Sequence, residues 1–424
     1  MPQDAVRPSA PKTIFPVWLS DGLVLTVANF VAALGSYFFQ ALMRRHLSWP
    51  EFGYLNTTLS LILFAGVPLT AASQTMAHHL AHMGAMGRSE NVAQLQAAGL
   101  KLLRHLTWIV FGLCVLLLPP LAAYLRFPRA SLAWAGLLWI PVNLWSTLGS
   151  SWCAGLSRFR LLSVLIIGAA LLRLVAGAIA VSLYPWAEAG IAATIISGVV
   201  LGSIAVFSPH HATASSLRQL LLQRDWLLYG LAALAVAFGS LAFFQGDQIL
   251  AQRHFPGGQL GRYTGVGLLG RTIVWASAPI LTVYFTRRSG HHAALASPTP
   301  LLGIYLGLLA AGAIGIVLLR DLLLQLLLGV QDADLSTMTA RFALAMIPIG
   351  ILQAMGCHSL ATRRLPECLA FAACAVGYLV ALSMFGHTPA SMLNVMSSGA
   401  TVSVVLLVLV SVACRRRNRA PLIP

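Results

Sequence analysis

Twelve times along this chain a run of about twenty residues passes with at most one charged side chain, and that pattern constrains the fold more than any single motif. A run of that length spans the roughly 30 Å hydrocarbon layer of a membrane as a helix, because in lipid every backbone polar group must find its partner within the segment. The predicted spans are 21–43, 54–76, 105–125, 131–154, 161–184, 187–207, 226–252, 263–286, 301–319, 340–360, 367–386 and 390–413. With 58% hydrophobic and 9% charged residues, little is left over for a soluble domain. The longest loops, near 77–104, 208–225 and 287–300, are too short to fold alone. The apolar run after the head MPQDAVRPSAPKTIF outlasts the core of a signal peptide, about 7 to 15 residues, so an uncleaved first span is expected.

The formal charge of +16 invites a nucleic-acid partner, but that chemistry needs basic residues gathered on one face or one helix. Here they are dealt out among short loops, and no nucleic acid is expected. With a cytoplasmic N-terminus, 17 of the 27 Lys and Arg residues fall on that side and seven on the other, with Arg173, Arg271 and Arg341 in or beside spans. The bias places both termini in the cytoplasm, which an even number of spans requires.

The chain also contains its own duplicate. RHLSWPEFG at 45–53 and RHFPGGQLG at 253–261 share Arg-His, an apolar residue and a closing apolar-Gly at an offset of 208, with Gln40 and Gln248 five residues upstream of each arginine. IPVNLWSTLGSSWCAG from 140 matches IPIGILQAMGCHSLAT from 347 at an offset of 207, pairing Gly149 with Gly356 and Ala154 with Ala361. Spans one to six therefore correspond to spans seven to twelve. Each half holds an even number of spans, so both enter from the same side, and such parallel repeats place a substrate site near the midplane between them. The predicted fold is all-α: two six-helix bundles, residues 1–210 and 211–424, joined through the loop near 208–225.

Candidate site residues are the polar groups at membrane depth. Asn29 and Gln40 lie on one stripe of the first span with Thr26, Ala33 and Ser36, a face that packs on protein or lines a wet cavity. Gln248 is the counterpart of Gln40. Arg173 and Arg271 sit on faces of small residues, which suit either a ligand vestibule or a structural ion pair, and with Asn29, Gln40 and Gln248 they are expected to line the substrate cavity. Asp247 is the one carboxylate well inside an apolar span, a counter-ion for a cavity arginine or an ion-coupling site. Asp332-Ala333-Asp334 imitates a metal-binding DxD, but lies in a short loop on the far side from cytoplasmic nucleotide sugars. His78 with His82, His210-His211 and His291-His292 lack the further ligands a metal needs. The six cysteines form no CxxC pair and read as buried thiols; no catalytic residue, metal or cofactor is expected.

RRHLSWPEFGYLNTTLSLILFAGVPL, DQILAQRHFPGGQLGRYTGVGLLGR and AGLSRFRLL resemble the first loop and second span, the seventh span, and the fourth loop of polysaccharide flippases. These belong to the multidrug/oligosaccharidyl-lipid/polysaccharide (MOP) exporter superfamily. Asp247, Gly261 and Tyr263 match that pattern position for position, and Arg173 and Arg271 match its habit of cationic cavity groups less strictly. The departures are the scarcity of acids and a count of twelve spans, where the related lipid II flippases have fourteen. The resemblance implies a MATE/MOP-like fold that moves an undecaprenyl-diphosphate-linked oligosaccharide across a bacterial inner membrane. Its implied partners are that substrate, membrane lipids, and the glycosyltransferases and polymerase of the same pathway. Two rivals stand beside it. A multidrug or cation antiporter of the same superfamily would want cavity carboxylates. A membrane-embedded polysaccharide polymerase or ligase would want a sizeable extracytoplasmic loop.

Overall fold

The computed structural model describes residues 17–85, 89–155, 158–206, 224–289 and 299–419, all of them helix or short connection. The first half contains α1 (Val17–His46), α2 (Trp49–Ala65), α3 (Val67–Ala85), α4 (Ser89–Tyr124), α5 (Ala130–Gly155), α6 (Phe159–Leu183) and α7 (Ala187–Val206). The second contains α8 (Arg224–His254), α9 (Gly257–Ser289), α10 (Thr299–Leu323), α11 (Ala333–Ala361), α12 (Leu365–Phe385) and α13 (Pro389–Arg419). Each of the twelve predicted spans falls on one of these helices or, for 54–76, on the pair α2 and α3. Among the described residues, eight helices are individually long and apolar enough to cross a membrane, or nine when α2 and α3 count as one span.

That pair corrects the expectation of an unbroken second span. The chain bends by 46° between α2 and α3. Pro68 has no N–H to give to the turn before it, and Gly66 caps α2 with its own N–H turned to Ile62 and Leu63. The proline-bearing repeat, Pro141 and Pro348, lies inside α5 and α11 at matching places.

Helix pairings in the first half have counterparts in the second. α1 packs on α6 as α8 packs on α12, α5 on α7 as α11 on α13, α6 on α7 as α12 on α13, and α4 on α5 as α10 on α11. Between the halves, α2 and α3 pack along α8, α2 crosses α9, and α1 meets α9 less extensively.

The two ends of the molecule differ. On the end bearing the α1–α2 turn the connections are two to five residues long: 47–48, 125–129, 184–186, 255–256, 329–332 and 386–388. Gly329, with φ of 68°, closes the wide turn Leu324–Leu328 there, a left-handed position that glycine takes without steric cost. The expected inter-half loop 208–225 and the His210-His211 and His291-His292 doublets lie outside the described residues, apart from the start of α8. So do the side chains of His78 and His82 and the head before Val17. All six cysteines are free thiols, Cys153 and Cys368 buried and the others partly so.

Candidate functional site

Several polar constellations hold the helices or interrupt their packing. The deepest lies in the core of the second half. Asp247 on α8 is fully buried, and Arg271 on α9 is 2% exposed. One guanidinium nitrogen, Nη2, donates to both carboxylate oxygens at 2.7 Å, and Nε donates to the Phe244 carbonyl at 2.9 Å. The Tyr263 hydroxyl donates to Asp247 Oδ2 at 2.7 Å. Gly267 makes the room: a β-carbon there would stand 2.4 Å from Arg271 Nη1. Phe342 of α11 packs beneath, its ring 5.1 Å from the guanidinium carbon.

Arg271 faces the closed core of its own half in this conformation, where Asp247 and the Phe244 carbonyl take its Nη2 and Nε donors, and does not open onto a vestibule. The small residues around it serve close helix approach, one of the two uses their size permits. Of the two roles considered for Asp247, the counter-ion geometry is the one present. At an offset of 208 the first-half counterparts are Phe39 and Leu63, so the pair has no sister.

Arg173 stands differently. It lies on α6 over the Phe39 ring of α1, 4.6 Å from its centroid, with its Nε buried and unbonded. No carboxylate pairs with it among the described residues. Gln40 is buried on α1 with its amide oxygen unbonded, and Asn29, half-buried, turns its amide back to the Leu25 carbonyl at 2.8 Å. Gln248 is buried on α8. The structure therefore brings Asp247 and Arg271 together, while Arg173 and Asn29 lie apart from them in the first half.

The seam between halves was not foreseen in detail. Ser60 of α2 donates to Gln245 of α8 at 2.9 Å, inside the membrane. Gln245, Gln248 and Gln252 share one face of α8, and the buried Thr57 and Gln252 keep unbonded oxygens. Further along, His79 stacks on Trp226 at 4.8 Å.

At the end with the short turns, the two copies of the repeated motif meet. A β-carbon on Gly53 would lie 2.8 Å from Leu260, and one on Gly261 would lie 1.9 Å from the Trp49 carbonyl oxygen. The Arg44 guanidinium lies 3.3 Å over the Trp49 ring, and Arg45 donates to the Leu326 carbonyl across the halves at 3.0 Å. The signal was in the sequence: both copies end in glycine because each approaches the other's backbone.

Beside this crossing, Arg129 bridges Glu51 at 2.6 Å and Glu188 at 3.2 Å, tying α2, α5 and α7 together. None of the three figured among the candidates. The DxD resolves as a helix cap, since Asp332 accepts from the Asp334 and Leu335 amides at the start of α11. Among the described residues no group of three or more His, Cys, Asp or Glu side chains could hold a metal.

No family model and no curated protein matches this chain. Solved structures do. A multidrug resistance MATE family transporter of the MOP superfamily, in an inward-facing conformation, aligns with a TM-score of 0.66 at 10% identity, over 93% of this chain and 99% of that one. The lipid II flippase MurJ, in an inward closed conformation, aligns at 0.69 and 12% identity, over 92% and 87%. A MOP superfamily transporter from Pyrococcus furiosus, described as having a binding pocket of reverse polarity, aligns at 0.60 and 12% identity, over 92% and 95%. The chain has the fold of MOP superfamily transporters and is a multi-pass membrane protein.

Proposed function

We propose that this protein flips a lipid-linked oligosaccharide, carried on undecaprenyl diphosphate, across the bacterial inner membrane for cell-surface polysaccharide synthesis. The bundles 1–210 and 211–424 rock about the seam to alternate access, with both termini cytoplasmic and the prenyl tail left in lipid. The observation that carries this reading is the imbalance of charge at membrane depth. Asp247 is spent on Arg271, while among the described residues no carboxylate pairs with Arg173. A site of that polarity suits an anion and repels the cationic drugs an antiporter would bind. Arg173 is the proposed diphosphate ligand, through charge-assisted hydrogen bonds, with Asn29, Gln40 and Gln248 offering neutral contacts that tolerate different sugars. Turns of two to five residues on the extracytoplasmic end leave no loop for a polymerase or ligase site.

Outward movement of net negative charge gains about 2.3 kcal/mol per charge per 100 mV of interior-negative potential. The potential alone can drive export. The test is Arg173→Ala, read by export of the lipid-linked glycan and by melting temperature. Export should fall about tenfold to a hundredfold, the factor for losing a charge-assisted hydrogen bond of about 1.5 to 3 kcal/mol, with the bundle still folded because among the described residues no ion pair of Arg173 is broken. Undiminished export by a stable Arg173→Ala protein overturns the role.

Orientation has its own test. Reporter fusions after residue 158 and after residue 364 occupy equivalent turns of the two halves, and both should score cytoplasmic. Opposite locations would break the parallel repeat.

A further inference from the structure

Cationic groups from four helix ends converge at the end of the second half opposite the short turns. His358, near the end of α11, is hydrogen-bonded to the Tyr284 hydroxyl of α9. Arg364 caps the start of α12 beside it, Arg288 stands one helical turn beyond Tyr284 on α9, and Arg415 stands one turn beyond Ser411 on α13. Glu367 is already committed. It is 5% exposed and accepts from Arg364 Nη1 at 2.9 Å, Ser359 Oγ at 3.0 Å and Ser411 Oγ at 3.3 Å. Glu367 is thus satisfied by Arg364 and two serines, while Arg288 and Arg415 are exposed.

Arg363 adds a fourth guanidinium in the turn between α11 and α12, exposed and with φ of 54°. Glycine takes that left-handed conformation freely and an arginine does not. The excess of positive residues on cytoplasmic loops accounts for arginines on this end. It does not account for their convergence beside one His–Tyr pair, nor for an arginine held in a left-handed turn.

We propose that Arg288, Arg363, Arg364 and Arg415 with His358 form a binding site for the phosphate of a lipid headgroup at the membrane surface. Guanidinium forks match phosphate oxygens, and basic pockets between helices at this depth suit anionic headgroups. The phosphate can belong to an anionic phospholipid or to a polyprenyl diphosphate. The site stands whether or not the flippase reading does.

The full-length protein in detergent would be titrated with dioctanoyl phosphatidylglycerol, farnesyl diphosphate and phosphate-free dioctanoylglycerol. The first two should bind, more weakly as salt rises, and the third should not. Arg288→Gln and Arg415→Gln should each weaken binding about fivefold without lowering the melting temperature, since both side chains are exposed. Arg363→Gln should weaken binding by a similar factor. Competition separates the sources: displacement of phosphatidylglycerol by less farnesyl diphosphate assigns the site to a diphosphate carrier, and the reverse order assigns it to bulk lipid. Equal binding of dioctanoylglycerol, or unchanged affinity in the Arg288→Gln/Arg415→Gln double variant, would overturn the proposal.

Discussion

Arg271→Met is expected to destabilise the protein by about 3 to 5 kcal/mol, the cost of leaving one member of a buried ion pair uncompensated. Asp247 has no exposed surface, so no water can replace the lost guanidinium without opening the core of the second half. Tyr263 would remain as a donor to it, which supports the carboxylate with one hydrogen bond in place of three. The informative experiment adds Asp247→Leu to Arg271→Met. Replacing both charges with apolar groups of similar size removes the desolvation cost together with the attraction, and such swaps are often neutral or stabilising. The double variant should recover most of the lost stability in detergent. If the pair is scaffolding, as its enclosure argues, glycan export should return with stability. A stable double variant that does not export would sink that view and return the pair to the transport cycle.

The difficulty of reading Arg271 from sequence is a matter of which side of a helix faces what. Periodicity locates α9, because its apolar run is long, and the duplicated motifs locate it as the partner of the α2–α3 pair. Neither says which face is turned to the other bundle. α9 packs against α2 on one side and against α10 and α11 on others, so small residues occur around it, and Gly267 and Gly270 serve Arg271 and Phe342 rather than a ligand space. Arg173 poses the same question, and there the structure supplies an aromatic ring and no acid. The Glu51–Arg129–Glu188 clamp was illegible for another reason. Its members come from three separate turns, far apart in sequence and ordinary in their loops, and only the packing of α2, α5 and α7 brings them together.

Gly261→Val is expected to abolish export by preventing closure of the end with the short turns. The obstacle is backbone: a β-carbon at 261 would lie 1.9 Å from the Trp49 carbonyl oxygen and 2.5 Å from its carbon. A flexible side chain could swing aside, but a carbonyl inside the first turn of α2 moves only with its helix. The halves must therefore separate here to admit the valine. A transporter that alternates access needs this end shut while the other is open, so the variant should dwell open at the short-turn end. Gly258 provides the control, since a β-carbon there meets nothing within 4 Å. Spin labels on cysteines at Ala130 and Thr388, exposed positions at this end of opposite halves, would report the separation. Gly261→Val should shift the distance distribution outward by several ångströms, at least the roughly 1.5 Å needed to bring the carbon to ordinary van der Waals contact of about 3.5 Å, while Gly258→Val should leave both distances and export unchanged. An unshifted distribution with normal export in Gly261→Val would mean that the glycine crossing is not the gate. A shift with export retained would mean that this end need not shut for the substrate to cross, and the alternating-access mechanism would fail with it.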